Sequence, residues 1–110
     1  PAAFELSGRL VPFASSPLAD ALPKIVVDAG AVPRICNGAD VMAPGVVNVV
    51  GDFERGSLVA VVDERYGKVL AVAEALEPSA AIAEMPRGKV AKNLHYVGDK
   101  LWRFAQEKLS

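Results

Sequence analysis

From Lys89 to Val97 (K-V-A-K-N-L-H-Y-V) the chain alternates as a strand does. Val90, Lys92, Leu94 and Tyr96 fall on one side, and Lys89, Ala91, Asn93 and His95 on the other. Gly98 breaks the alternation, and residues Leu101 to Leu109 have a helical composition that predicts a tail packing Leu101, Trp102 and Ala105 on the domain. Upstream, Lys24 to Asp28 (K-I-V-V-D) carries three β-branched residues in a row and predicts a short buried strand. Asp28 is positioned to cap a helix over Ala29 to Cys36, with Pro33 in its first turn and Asn37-Gly38 as its stop. Val46 to Val50, Ser57 to Asp63 and Val69 to Ala75 predict three further strands, the last two joined by a hairpin in which Gly67 takes the left-handed position. Pro78-Ser79 opens a second helix that runs to Met85 and is stopped by Pro86 and Gly88.

The order is strand, helix, strand, hairpin, helix, strand. The strands are rich in small apolar residues with little polar interruption, which implies burial on both faces, as in a closed or nearly closed barrel. The expected class is mainly β with small α: a β-barrel with two short helices and a helical tail. Pro1 to Pro23 is broken by Gly8, Pro12 and Pro17 and reads as one strand followed by a linker, either an amino-terminal extension or the remnant of an upstream domain. The domain proper is expected over residues 24–110.

With 110 residues there is room for one core, and a 52% hydrophobic content supports it. No apolar run reaches the roughly 18 residues of a membrane span, and the amino end lacks the build of a secretory signal, so a soluble, cytoplasmic chain is expected. Net charge is −1, but its distribution is uneven. Residues 1–86 hold 6 Lys and Arg against 11 Asp and Glu, whereas residues 87–110 hold 6 against 2. A basic carboxyl end suits a polyanionic partner, and equally an ordinary solvated face.

Catalytic chemistry has little to build on. Cys36 and His95 are the single Cys and His; a thiol on a small apolar helix is ordinarily inert, and one Cys with one His cannot form a zinc site. The carboxylates of Asp63 and Glu64 fall in a turn and are expected to face solvent, and no Ser sits in a nucleophile elbow. Asn37 to Gly45 (N-G-A-D-V-M-A-P-G) matches neither a Walker loop nor a dinucleotide fingerprint, so no nucleotide cofactor is expected. Its glycines permit close backbone approach to a phosphate, and equally a plain turn. Tyr96 and Trp102 can stack on bases or fill a core.

The ordered series I-V-V-D-A-G-A-V-P-R-I-C-N-G-A-D-V-M-A-P-G-V, G-S-L-V-A-V-V-D-E, A-V-A-E-A and G-K-V-A-K resembles the PUA domain, named for pseudouridine synthases and archaeosine transglycosylases. The likeness runs from about Lys24 to Trp102. N-L-H-Y-V-G-D-K-L-W is narrower and resembles the ending of the malignant T-cell amplified sequence family, translation factors related to the amino-terminal half of ligatin. The alanine- and valine-rich style points to an archaeal member. The resemblance implies a non-catalytic module that binds structured RNA, either tRNA or small-subunit rRNA. Partners expected from it are the small ribosomal subunit and a density-regulated-protein-like factor. The alternatives are an RNA-positioning domain of a modifying enzyme and a protein-interaction domain with no RNA role. Carried over by position, the RNA-binding candidates are Arg34, Asn37, Gly38, Asp40, Met42, Gly45, Val46, Lys89 and Lys92.

Overall fold

In a computed structural model, residues 3–6, 9–12 and 17–96 are described. Ala3–Leu6 (β1) and Arg9–Pro12 (β2) pair antiparallel as a separate two-stranded sheet. Pro17–Asp20 (α1) is a single helical turn. The segment read from sequence as a strand and linker is therefore a hairpin and a helix. Pro12 is the last residue of β2 and Pro17 the first of α1, so these prolines bound elements instead of interrupting them. The expected tail at Leu101 to Leu109, with Trp102, lies outside the described residues.

The main sheet is built from Lys24–Val27 (β3), Val41–Met42 (β4), Val46–Val50 (β5), Leu58–Asp63 (β6), Val69–Ala75 (β7) and Lys89–Tyr96 (β8). Its order is β4-β8-β7-β6-β3-β5, antiparallel except for the β3–β6 pair. The alternation in β3 turns Ile25 and Val27 inward, where they meet Val59, Val61, Ala71, Ala73, Val90 and Ala91 in one interior cluster. The opposite face of β6 and β7 is covered as well: Val72, Leu58 and Val69 pack with Ala19 and Leu22 from the α1 segment and with Leu94. That cover explains why β6 and β7 read as continuous apolar runs and not as alternating ones.

β4 and β5 occupy opposite edges of this sheet, yet only Ala43–Gly45, a 3-10 turn, lies between them. The four Cα steps from Met42 to Val46 span at most roughly 14 Å. The sheet must therefore curl until its edges meet. Each end of the turn extends a neighbouring ladder: Asp28 N–H donates to the Gly45 carbonyl at 2.9 Å beside β3–β5, and Ala43 N–H donates to the Gly88 carbonyl at 2.8 Å beside β4–β8. The expected barrel is thus a half-barrel sheet whose two edges are linked through Ala43–Gly45. Asn37 to Gly45 carries no strand signal in the sequence, because the two-residue β4 leaves no periodicity to detect.

Both remaining helices are shorter than expected. The first (α2) is Val32–Ile35, not Ala29 to Cys36. Asp28 caps a turn ahead of it, its Oδ1 accepting the Ala31 N–H at 3.0 Å, and Pro33, with no N–H to give, occupies the first turn. The exit follows expectation: Ala39 N–H bonds the Arg34 carbonyl and Gly38 N–H the Ile35 carbonyl, each at 3.0 Å, with Gly38 at φ +94°. This is a Schellman closure with glycine in the left-handed position. The third helix (α3) is Ser79–Ile82, after which three-residue turn bonds carry the chain to Met85. Ser79 ties α3 to Phe53, whose N–H donates to the Ser79 hydroxyl at 3.1 Å, and Ile82 and Phe53 join the interior cluster.

The faces of β8 also differ from simple alternation. Val72 pairs with His95 but Ala73 with Asn93, so Leu94 is an extra residue in the ladder. A bulge of this kind flips the side-chain parity downstream of it. Tyr96 consequently turns to the side of Asn93, against Gly38 and the interior cluster, while Leu94 goes to the outer one. Asp63 is corrected too. It is not solvent-facing but 9% exposed, and its carboxylate closes the β6–β7 hairpin by accepting the N–H groups of Tyr66 and Gly67. Gly67 takes the left-handed position as expected, at φ +66°.

Candidate nucleic-acid interface

The curl of the sheet brings together residues far apart in the chain. α2, Asp40, β4 and the 3-10 turn form one wall of a cleft of about 300 Å³, and the segment leading into β8 forms the other. Of the candidates from sequence, Arg34, Asp40, Met42 and Gly45 line this cleft. Lys89 reaches it by an ion pair to Asp40, with Nζ 3.0 Å from Oδ2. Lys92, exposed on β8, stands near enough for its charge to act on the same carboxylate.

Asn37 and Gly38 sit outside the lining, at the helix exit. Asn37 donates its side-chain amide to the Pro33 carbonyl at 2.9 Å, and Gly38 receives the edge of the Tyr96 ring. A Cβ at Gly38 would stand 3.0 Å from a Tyr96 ring carbon, so glycine is required there twice over, for its φ and for that contact. Val46, partly buried, packs against the interior cluster and is not among the lining residues. Met42 is 45% exposed beside the cleft.

Asp40 organises the loop. Its Oδ1 accepts the Asn93 N–H at 2.8 Å while Oδ2 holds Lys89. Burial pushes its carboxyl upward, but the Asn93 hydrogen bond, the Lys89 contact and the Lys92 charge together outweigh this and hold it below the usual carboxylate range. Asp40 thus stays ionised and pins Lys89 at the rim. The same Asn93 donates through Nδ2 to the carbonyls of Ile35 at 3.2 Å and Ala39 at 3.0 Å. One residue of β8 therefore clamps the helix exit from three directions.

Sequence reasoning missed two members. Arg87 lines the cleft opposite Arg34. Its signal lay in R-G-K, where Gly88 at φ +105° turns the chain between two cations, but it precedes the strand and was counted only with the basic end. Asn93 gave no signal, because its role is made by a pairing more than fifty residues distant. Arg34 and Arg87 line the cleft, while Lys89 and Lys92 stand by Asp40, its one acidic lining residue. An array of separated cations at and beside a cleft suits phosphates spaced along a chain.

His95 is fully buried, and burial raises the half-buried Cys36 thiol above its ordinary range, which lowers its reactivity. Among the described residues there is no group of three or more His, Cys, Asp and Glu able to hold a metal, and no described helix is long and apolar enough to cross a membrane.

These features define a class first: small β-barrel modules in which a one-turn helix, a glycine elbow and the last strand frame a basic cleft. The chain belongs to the PUA domain family, whose model matches residues 23–97. It is 42% identical over 107 residues to an uncharacterized protein of Methanocaldococcus jannaschii, covering 94% of this chain and 65% of that one. It is 30% identical over 94 residues to translation machinery-associated protein 20 of Saccharomyces cerevisiae, covering 80% and 52%. A probable tRNA pseudouridine synthase B of Pyrobaculum calidifontis is 40% identical over 75 residues, covering 68% and 22%. Among solved structures, a PUA domain of Aeropyrum pernix K1 superposes with a TM-score of 0.91 at 34% identity, over 96% of this chain and 62% of that one. The chain thus spans less than two thirds of the length of each of these proteins.

Proposed function

We propose that this domain binds structured RNA, tRNA or small-subunit rRNA, as a non-catalytic module of a translation-related protein acting in the cytoplasm. The observation that carries this reading is the meeting of two distant parts of the chain at one cleft: Arg34 on α2, and the stretch Arg87 to Lys92, whose Arg87 lines the cleft and whose Lys89 and Lys92 stand by Asp40. Contacts of this kind grip phosphates by position and leave base readout limited. The likeness to a protein named for its association with the translation machinery supports the setting. The small ribosomal subunit and a density-regulated-protein-like factor are the proposed partners there. Residues 1–23 are proposed as an extension, or the remnant of an upstream domain, leading into the PUA domain.

A second reading has its own support: a probable tRNA pseudouridine synthase carries a similar stretch over about a fifth of its length. On that reading the domain positions RNA for a separate modifying centre. Binding to full tRNA, tRNA lacking its 3′ end and small-subunit rRNA fragments separates the two. The translation reading expects the rRNA fragment, or tRNA through its 3′ end, to bind with an affinity that falls steeply with salt. Equal binding of intact and shortened tRNA, with none to rRNA, favours the modification reading, and no binding to any of the three overturns both.

A further inference from the structure

Across α2 from the cationic cleft lies a second, of about 220 Å³, between Val32 and Pro33 on one side and Glu64, Arg65 and Tyr66 of the β6–β7 hairpin on the other. Pro33 and Arg34 are neighbours on one helical turn, so α2 is the shared wall of both clefts. At its mouth Tyr66 is 73% exposed. The hairpin beneath it is fixed: Asp63 accepts the N–H groups of Tyr66 and Gly67, and Glu64 N–H donates to the Val27 carbonyl at 3.0 Å. The aromatic side chain thus stands on a braced backbone with its apolar area left in water.

Three charged side chains line this cleft: Asp63, which is engaged with the hairpin N–H groups, and the exposed Glu64 and Arg65; Arg34 on the shared wall and Lys68 on the hairpin are exposed outside the lining. A carboxylate in the lining disfavours a phosphate inside but can accept a hydrogen bond from the amino group of a base; cations at the margins complement phosphates outside. We propose that this second cleft takes an unpaired nucleobase of the same bound RNA, stacked on Tyr66, with the phosphates on either side held by Arg34 and Arg65. The inference rests on the RNA-binding reading above and adds a base-stacking subsite to it.

The test measures the dissociation constant of a folded tRNA transcript over a range of potassium chloride for the native protein, Tyr66→Ala, Tyr66→Phe and Arg34→Ala. Stacking predicts that Tyr66→Ala weakens binding about tenfold, within the range that aromatic–base stacking supports. Tyr66→Phe keeps the native affinity. Because stacking releases no counterion, the Tyr66→Ala salt slope stays native, whereas that of Arg34→Ala drops by about one. Native affinity in Tyr66→Ala together with weakened binding by Arg34→Ala overturns the subsite and leaves the RNA-binding reading standing. Failure of the native protein to bind the transcript overturns that reading itself. The ring is largely in solvent, so thermal unfolding of Tyr66→Ala is expected to match the native protein, and affinity reports on contact and not on folding.

Discussion

Ile35→Ala is expected to lower the unfolding free energy by about 2–5 kcal/mol, the range for truncating a buried aliphatic side chain and leaving a cavity. Ile35 is 2% exposed, and α2, four residues long, has no stability of its own. It is held to the barrel by Ile35 in the interior cluster, with Val32 and Cys36 packed against that cluster, and by the Asn93 bonds at its exit. For a domain whose total stability is of order 5–15 kcal/mol, this is a large fraction. Urea unfolding should show a lower midpoint with an unchanged slope. Arg34 rides on the same turn, so RNA affinity should fall even where the variant remains folded. A stability loss below about 1 kcal/mol would show that the helix is anchored elsewhere.

The second large effect concerns Asn93. Its Nδ2 satisfies two carbonyls at the helix exit, those of Ile35 and Ala39, while its N–H satisfies Asp40. Asn93→Ala leaves those carbonyls without that donor at a cost of about 1–2 kcal/mol. Asn93→Asp sets a carboxylate against two carbonyl oxygens and the ionised Asp40, and is expected to cost about 3 kcal/mol or more. The two variants also differ in pH dependence. Repulsion from the carbonyl oxygens and from Asp40 raises the introduced carboxyl's folded-state pKa above the unfolded value, and its protonation restores a donor, so the Asn93→Asp deficit should shrink on acidification while that of Asn93→Ala should not. Equal deficits at every pH would mean that the amide packs here without acting as a clamp.

Much of the barrel was legible in the sequence because its signals are local. β5, β6, β7 and β8 lie where apolar runs and alternation put them, and Gly67 and Gly38 stand at the left-handed positions their turns require. What escaped is made by distant partners. The two-residue β4 exists only because Val41 and Met42 meet Ala91 and Lys89; the cover of β6 and β7 comes from Ala19 and Leu22; and the face of Tyr96 depends on the extra residue at Leu94. The candidate site has the same character. No spacing rule links Arg34 to Asp40, Met42, Gly45 and the lysines of β8, and it was the family resemblance that grouped them. Neither resemblance nor pattern reached Arg87, which joins the cleft through the Gly88 turn, or Asn93, whose hydrogen bonds cross from β8 to the helix exit.

The central claim is that phosphates of a folded RNA sit across the cleft between α2 and the start of β8. It is tested most directly by the salt dependence of binding to a tRNA transcript and to small-subunit rRNA fragments, for the native protein and for Arg34→Ala, Arg87→Ala and Lys92→Ala. Each substitution should weaken binding and lower the slope of log affinity against log salt by about one, and the three together by about three, with stability within roughly 0.5 kcal/mol of native. Native slopes in all three single variants would place the RNA elsewhere on the molecule and contradict the account.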